Sequence, residues 1–166
     1  MTPVRLAGSV RLADGTVVTW TVAEGRKGRR WREVQSDERG AVHWSLLYET
    51  DPDGRFAHLE LASASGLATL HPERDGTLHG NVVEPDGGVR HVAGEPFDPG
   101  TALVVGGSRL AGAAVARGHA VGDPTVVLDP ATLTLTRRSL EPGDLTAVDA
   151  DGAPMLDYGS TWPLET

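Results

Sequence analysis

The stretch "AVHWSLLYETDPDGRFAHLELASASGLATLHPERDGTLHGNVV", residues 41–83, decides the fold. Runs of five to ten residues alternate apolar with polar, and each run stops at a turn signal: "DPDG" at 51–54, "SASG" at 63–66, "ERDG" at 73–76. Period-two alternation puts successive side chains on opposite faces of a strand. Asp-Gly supplies the backbone conformation that tight hairpins demand. By face, Val42, Trp44, Leu46 and Tyr48 oppose His43, Ser45 and Leu47; Ala57, Leu59 and Leu61 oppose Phe56, His58 and Glu60; Leu78, Gly80 and Val82 oppose His79 and Asn81. The same rhythm extends outward. "TVVTWTV" and "RRWREV" precede the stretch, "GVRHVAG" follows it, and turns fall at "ADG" 13–15, "EGRKG" 24–28, "DERG" 37–40 and "PDGG" 85–88. Short strands at this spacing predict a mainly β, antiparallel meander, curled into a half-barrel or incomplete barrel.

After residue 94 the pattern changes. "GEPFDPG" reads as a loop, 101–106 as a strand, and the Ala-rich 108–117 as the one helix, capped by Ser108 and ended by Gly118. "GDPTVVLDPATLTLTRRSL" reads as one or two strands broken at Asp129-Pro130, and the final residues as a hairpin and tail. The whole chain, 1–166, reads as a single β-domain.

Composition excludes several classes. There is no Cys, so no disulfide, thiolate metal site or Cys nucleophile. The net charge of -8 argues against a nucleic-acid footprint and against anionic membranes. The N-terminus lacks a long apolar run, so no signal peptide or transmembrane segment is expected, and the cytoplasm is the default location. Lys27 is the one lysine among fifteen basic residues. With so much Gly, Ala and Val, this is the bias of high-GC bacterial coding sequence, and it makes Gly/Ala/Val/Arg strings common by chance.

"LVVGGSRLAGAAVARGHAV", 103–121, tests that warning, because it looks like the start of a dinucleotide-binding unit. Gly106 and Gly112 fit the outer glycines of the fingerprint, but Arg109 stands where backbone must approach a pyrophosphate. A meander precedes the segment and fewer than fifty residues follow it, so no doubly wound sheet can be completed. The plain reading is a strand, a tight turn and a small-residue helix against the sheet.

No catalytic set emerges. "GGS" at 106–108 is not a nucleophile elbow. Asp51, Asp53, Asp149 and Asp151 stand in turns, where Asp has a conformational role. If Arg74, Asp75 and Gly76 form a three-residue loop, His71 and His79 face each other. His58 and His91 could then share their sheet face, with Glu60 as a carboxylate neighbour. No metal is assigned; were one present, His58, His71, His79 and His91 would be its ligands. No cofactor is expected.

Binding remains. One helix is scant cover for so large a sheet, so part of the concave face is expected to stay open as a ligand site. Trp20, Trp44, Leu46 and Tyr48 would line its apolar part, with Arg30 and Arg32 from the basic cluster "GRKGRRWREV" as rim contacts and Trp31 stacking nearby.

The order "GRRWREV", "LLYETDPDGRFAHLEL", "LHPERDGTLHG", "GEPFDP" and "AVDADGAPMLDY" resembles the glycolipid-binding family, whose fold is similar to the lipoprotein-carrier half-barrel. Where that family carries a "PFTN"-like stretch, this chain has "PFDP" at 96–99. The resemblance implies a half-barrel and a non-catalytic module for an amphipathic or lipid-like small molecule, a glycolipid among them. Two alternatives stay open: a metal-dependent enzyme using the histidine face, and an interaction or homodimerisation domain.

Overall fold

The computed structural model describes residues 4–148 and Pro154. Eight strands follow one another as an antiparallel meander: β1 Arg5–Arg11, β2 Val17–Gly25, β3 Gly28–Ser36, β4 Val42–Thr50, β5 Phe56–Ser63, β6 Gly66–Pro72, β7 Thr77–Val83 and β8 Val89–Pro96. The order within the sheet is the order in the chain, and β1 does not pair with β8. The sheet is therefore a half-barrel, as the alternation predicts. A second, three-stranded sheet holds β9 Ala102–Val105, β10 Pro124–Asp129 and β11 Thr134–Ser139, with α1 Arg109–Ala116 between β9 and β10.

Aspartate makes the hairpins local. The Oδ1 atoms of Asp14, Asp37, Asp51, Asp75 and Asp86 each accept a backbone N–H two residues on, at 2.8–3.0 Å. That pre-forms each turn before the strands pair. The loop over Arg74, Asp75 and Gly76 has the expected three residues, and His71 pairs with His79 across it. Asp149 and Asp151, and the closing hairpin and tail, lie outside the described residues apart from a bridge between Val148 and Pro154.

Two facings are corrected, each at a register shift: Val42, grouped with Trp44, Leu46 and Tyr48, is exposed where β3 and β4 shift between Gln35 and Ser36. Phe56 is buried on the same side as Leu59 and Leu61, not opposite them. The register shifts between Glu49 and Thr50, so Thr50 pairs with Phe56, Glu49 with His58, and Ala57 is the extra residue of a bulge. An inserted residue reverses the alternation on one side of it.

The core lies in the concave face. Val18, Trp20 and Val22 of β2, Trp31 of β3, Trp44, Leu46 and Tyr48 of β4, and Leu59, Leu61, Leu70 and Leu78 of β5 to β7 form one buried cluster with β9, α1 and β10. All four residues of β9 are buried, as are six of the eight in α1. The strand–helix–strand unit thus fills the half-barrel and covers more than its helix alone would. Tyr48 anchors it: its hydroxyl donates to the Leu103 carbonyl at 2.9 Å, and burial pushes the phenol's pKa far up, so the donor proton stays in place. Tyr48→Phe is expected to lower stability by about 1 kcal/mol, the worth of one buried hydrogen bond, in urea unfolding followed by tryptophan fluorescence. No change would mean that water or a shifted backbone satisfies Leu103 instead.

Candidate functional site

The residues assigned to a ligand site do not form one group. Trp20, Trp44, Leu46 and Tyr48 point into the filled concave face. Trp20 lies against Gly8 of the neighbouring strand, where even a methyl group would stand 2.6 Å from the indole. These four side chains are packing residues, and the unit at 102–129 occupies the space expected to stay open.

Arg30 and Arg32 project from the opposite, convex face. In β3 the alternation buries Arg29, Trp31 and Glu33 and exposes Arg30, Arg32 and Val34. The cation beside Trp31 is accordingly Arg29, 7% exposed, with its guanidinium 5.3 Å from the indole centroid and its Nη2 2.6 Å from Glu24 Oε2. Arg117, which follows α1, feels the same cation: desolvation first, then repulsion from Arg29, lowers its pKa.

The convex cations do have a concavity. A cleft of about 700 Å³ is lined by Arg5, Arg26, Lys27, Arg29 and Arg30, by Glu24 and Glu49, and by small residues including Ala23, Gly25, Gly28 and Ala57. Cross-strand register builds it. Arg5 pairs with Ala23, Ala23 with Arg30, and Arg30 with Glu49, so one row crosses four strands with an alanine between two arginines. Ala57, the bulge residue, continues the small-residue floor. The β2–β3 turn carries Arg26 and Lys27 over this end, and Gly28 allows it. Its φ is 113°, and a Cβ there would lie 2.0 Å from the Thr50 carbonyl oxygen. Arg30 Nε donates to Glu49 Oε1 at 2.6 Å.

The Gly-Gly segment also has a definite geometry. β9 and β10 are parallel with α1 between them, so a strand–helix–strand unit is present. Ser108 caps α1, its Oγ accepting the Ala111 N–H at 3.0 Å. A dinucleotide would place its pyrophosphate at such a helix N-terminus. Here the protein's own Glu33 is there. Ser108 Oγ donates to Glu33 Oε2 at 2.5 Å, Gln35 Nε2 donates to Glu33 Oε1 at 3.0 Å, and the Leu110 N–H also reaches the carboxylate. Gln35 spans to the Gly107 carbonyl as well, at 3.1 Å. Gly112 serves packing: a Cβ would stand 2.5 Å from the Asp144 carbonyl oxygen.

His58, His71, His79 and His91 lie on the convex face, and three of them have a partner close by in the sheet. His58 Nε2 is 3.1 Å from Glu60 Oε1, His71 Nε2 is 3.0 Å from Glu73 Oε1, and His91 Nδ1 is 2.6 Å from Asn81 Oδ1. Among the described residues, no three His, Asp or Glu side chains are placed to hold a metal ion. Nor is any described helix long and apolar enough to cross a membrane.

No protein-family model matches the chain, and no curated protein does. A crystal structure of a DUF1089-family protein from Pseudomonas aeruginosa is similar at 15% identity, covering 98% of this chain and 91% of that one, with a TM-score of 0.40.

Of the residues that line this cleft, the sequence singled out Arg30 and the basic cluster at 25–34 but not Arg5, Ala23, Glu49 or Ala57. The missing signal was register. Arg5 is twenty-five residues from Arg30 in the chain, yet both stand next to Ala23 once the strands pair.

Proposed function

We propose that the protein is a non-catalytic binding module for a small amphipathic molecule that carries an anionic group, held in the convex cleft at the β2–β3 end. One observation carries this reading. Arg5, Arg26, Lys27 and Arg30 stand with Glu49 around an alanine floor, on a chain whose net charge is -8. Concentrating cations against the overall sign of the protein costs self-repulsion that an anionic ligand would relieve. The alanines and the methylene stems of the arginines offer apolar contact beneath the charges. Arginine suits a sulfate, sulfonate, phosphate or carboxylate head because its planar fork gives two parallel hydrogen bonds.

Titration calorimetry with 1-decanesulfonate, below its micellar concentration, tests the reading. Binding with Kd on the order of 100 µM is expected, about −5.5 kcal/mol. The double variant Arg5→Ala/Arg30→Ala should weaken it by about tenfold or more while leaving Tm nearly unchanged, because both side chains are exposed. No binding, or equal binding by the variant, would defeat the assignment. Equal competition by neutral decyl maltoside would also defeat it and shift the recognition to sugar.

A further inference from the structure

One end of the cleft is framed by cations on three sides, over a floor nearly bare of side chains. Gly25 pairs with Gly28, so the β2–β3 turn consists of Arg26 and Lys27 alone. Ala23 stands two residues before Gly25, on the same face, with Arg5 on one neighbouring strand and Arg30 on the other. Two strand spacings, about 10 Å, separate the backbones of those arginines, and both side chains are exposed. Arg26 and Lys27 close the third side. A Cβ added at Gly25 would meet no atom within 4 Å, so the space above it is open. Unlike Gly28, Gly25 does not take a positive φ. Neither its backbone nor a close neighbour requires a glycine there.

The charges in this frame do not balance. Glu24 is committed to the buried Arg29 at 2.6 Å, and the two cancel. Glu49 takes the Nε of Arg30, also at 2.6 Å, and leaves its Nη groups to a ligand. Among the described residues, Arg5, Arg26 and Lys27 make no ion pair. Arg5, Arg26, Lys27 and Arg30 therefore stand against Glu49 alone.

We propose that the head group held here is a phosphate monoester with two negative charges, seated over Gly25 between Arg5, Arg30 and the Arg26–Lys27 turn. The proposal rests on the reading above that the cleft takes an anionic amphiphile, and names its head. A sulfonate or a phosphodiester brings one charge and leaves most of the positive excess in place. A monoester above its second pKa, about 6, brings close to two charges and three acceptor oxygens. Those oxygens suit cations that approach from three directions, and arginine forks can each take two of them. The turn residues set the preference, because Arg5 and Arg30 already serve a head of one charge.

The test is calorimetry at pH 8 with decyl phosphate, decyl methyl phosphate and 1-decanesulfonate, each below its micellar concentration. Decyl phosphate is expected to bind about tenfold tighter than either singly charged ligand, the effect of one more charge among several cations. In Arg26→Gln/Lys27→Gln that gap should shrink to about twofold. Gly25→Val should abolish binding of all three with Tm nearly unchanged, because its side chain enters open space and valine suits a strand. Equal binding of the three heads, a full gap in the turn variant, or undiminished binding by Gly25→Val would each overturn the proposal and leave the binding function standing. Absence of binding by all three would instead remove the function on which it rests. Methyl phosphate separates the two sources of such a head. Weaker binding than decyl phosphate supports an alkyl-bearing ligand, and equal binding keeps the phosphate seat while removing the apolar part of the function.

Discussion

Glu33→Ala is expected to lower stability by about 3 kcal/mol at pH 7, while Glu33→Gln stays within about 1 kcal/mol of wild type. Glu33 is 1% exposed, on the central strand β3, and its carboxylate joins the large sheet to the N-terminus of α1. Alanine would leave the Ser108 hydroxyl and a Gln35 amide hydrogen buried without their acceptor. Glutamine keeps the shape and an acceptor oxygen and drops the charge. The pH dependence has a definite sign. Burial raises the pKa of Glu33 above the ordinary 4.5 of a glutamate, outweighing the hydrogen bonds from Gln35, Ser108 and Leu110. The folded state then holds the proton more tightly than the unfolded chain. The Glu33 contribution is most favourable below pH 4.5 and falls as pH rises through the raised folded value. Asp144, held low by Arg138, acts in the opposite direction: its contribution is present above the ordinary 3.8 and is lost as pH falls. Subtracting the Glu33→Gln stability curve from the wild-type curve isolates the first effect, because every other carboxylate is shared. A difference that grows toward acid in favour of glutamine would reverse the assignment.

Trp31→Ala should cost about 4 kcal/mol, whereas Arg32→Ala, one residue further along the same strand, should stay within about 0.5 kcal/mol. Trp31 is 0% exposed and stands between Val22 and Tyr48 in register, with Arg29 over its ring. Removing it opens a cavity in the buried core of the half-barrel and strips Arg29 of its aromatic partner. Arg32 faces outward between Thr21 and Leu47. Urea midpoints of the two variants, with unchanged slope, measure the contrast. Were Trp31→Ala to cost less than about 1 kcal/mol, the concave face would not be tightly packed, and a ligand cavity there would regain its place.

Much of this was legible in the chain itself. Alternation named the strands, Asp-Gly turns bounded them, and the three-residue loop at 74–76 even set the His71–His79 pair. Ser108 was readable as a cap and 108–117 as the helical segment, of which Arg109–Ala116 forms the helix, because capping and propensity act over a few residues. The alternation of β3, which sets Arg30, Arg32 and Val34 against Arg29, Trp31 and Glu33, was legible as well. Trp20, Trp44, Leu46 and Tyr48 belong to one face of the sheet and Arg30 and Arg32 to the other, a separation that follows from alternation once the register of β2, β3 and β4 is fixed.

Three things came only from the tertiary structure. The bulge at Ala57 reverses the facing of Phe56, and a single inserted residue leaves no distinctive mark on local composition. The filling of the concave face depends on where β9, α1 and β10 dock, which is a matter of volume between distant segments rather than of pattern within them. The cleft, and the row from Arg5 to Glu49 that builds it, exist only through pairing register across many residues of chain. Local sequence determined the elements of this protein because turns, caps and alternation are short-range. Its surfaces and its core were decided by tertiary contact, because side chains far apart in the chain become neighbours only when the strands have paired.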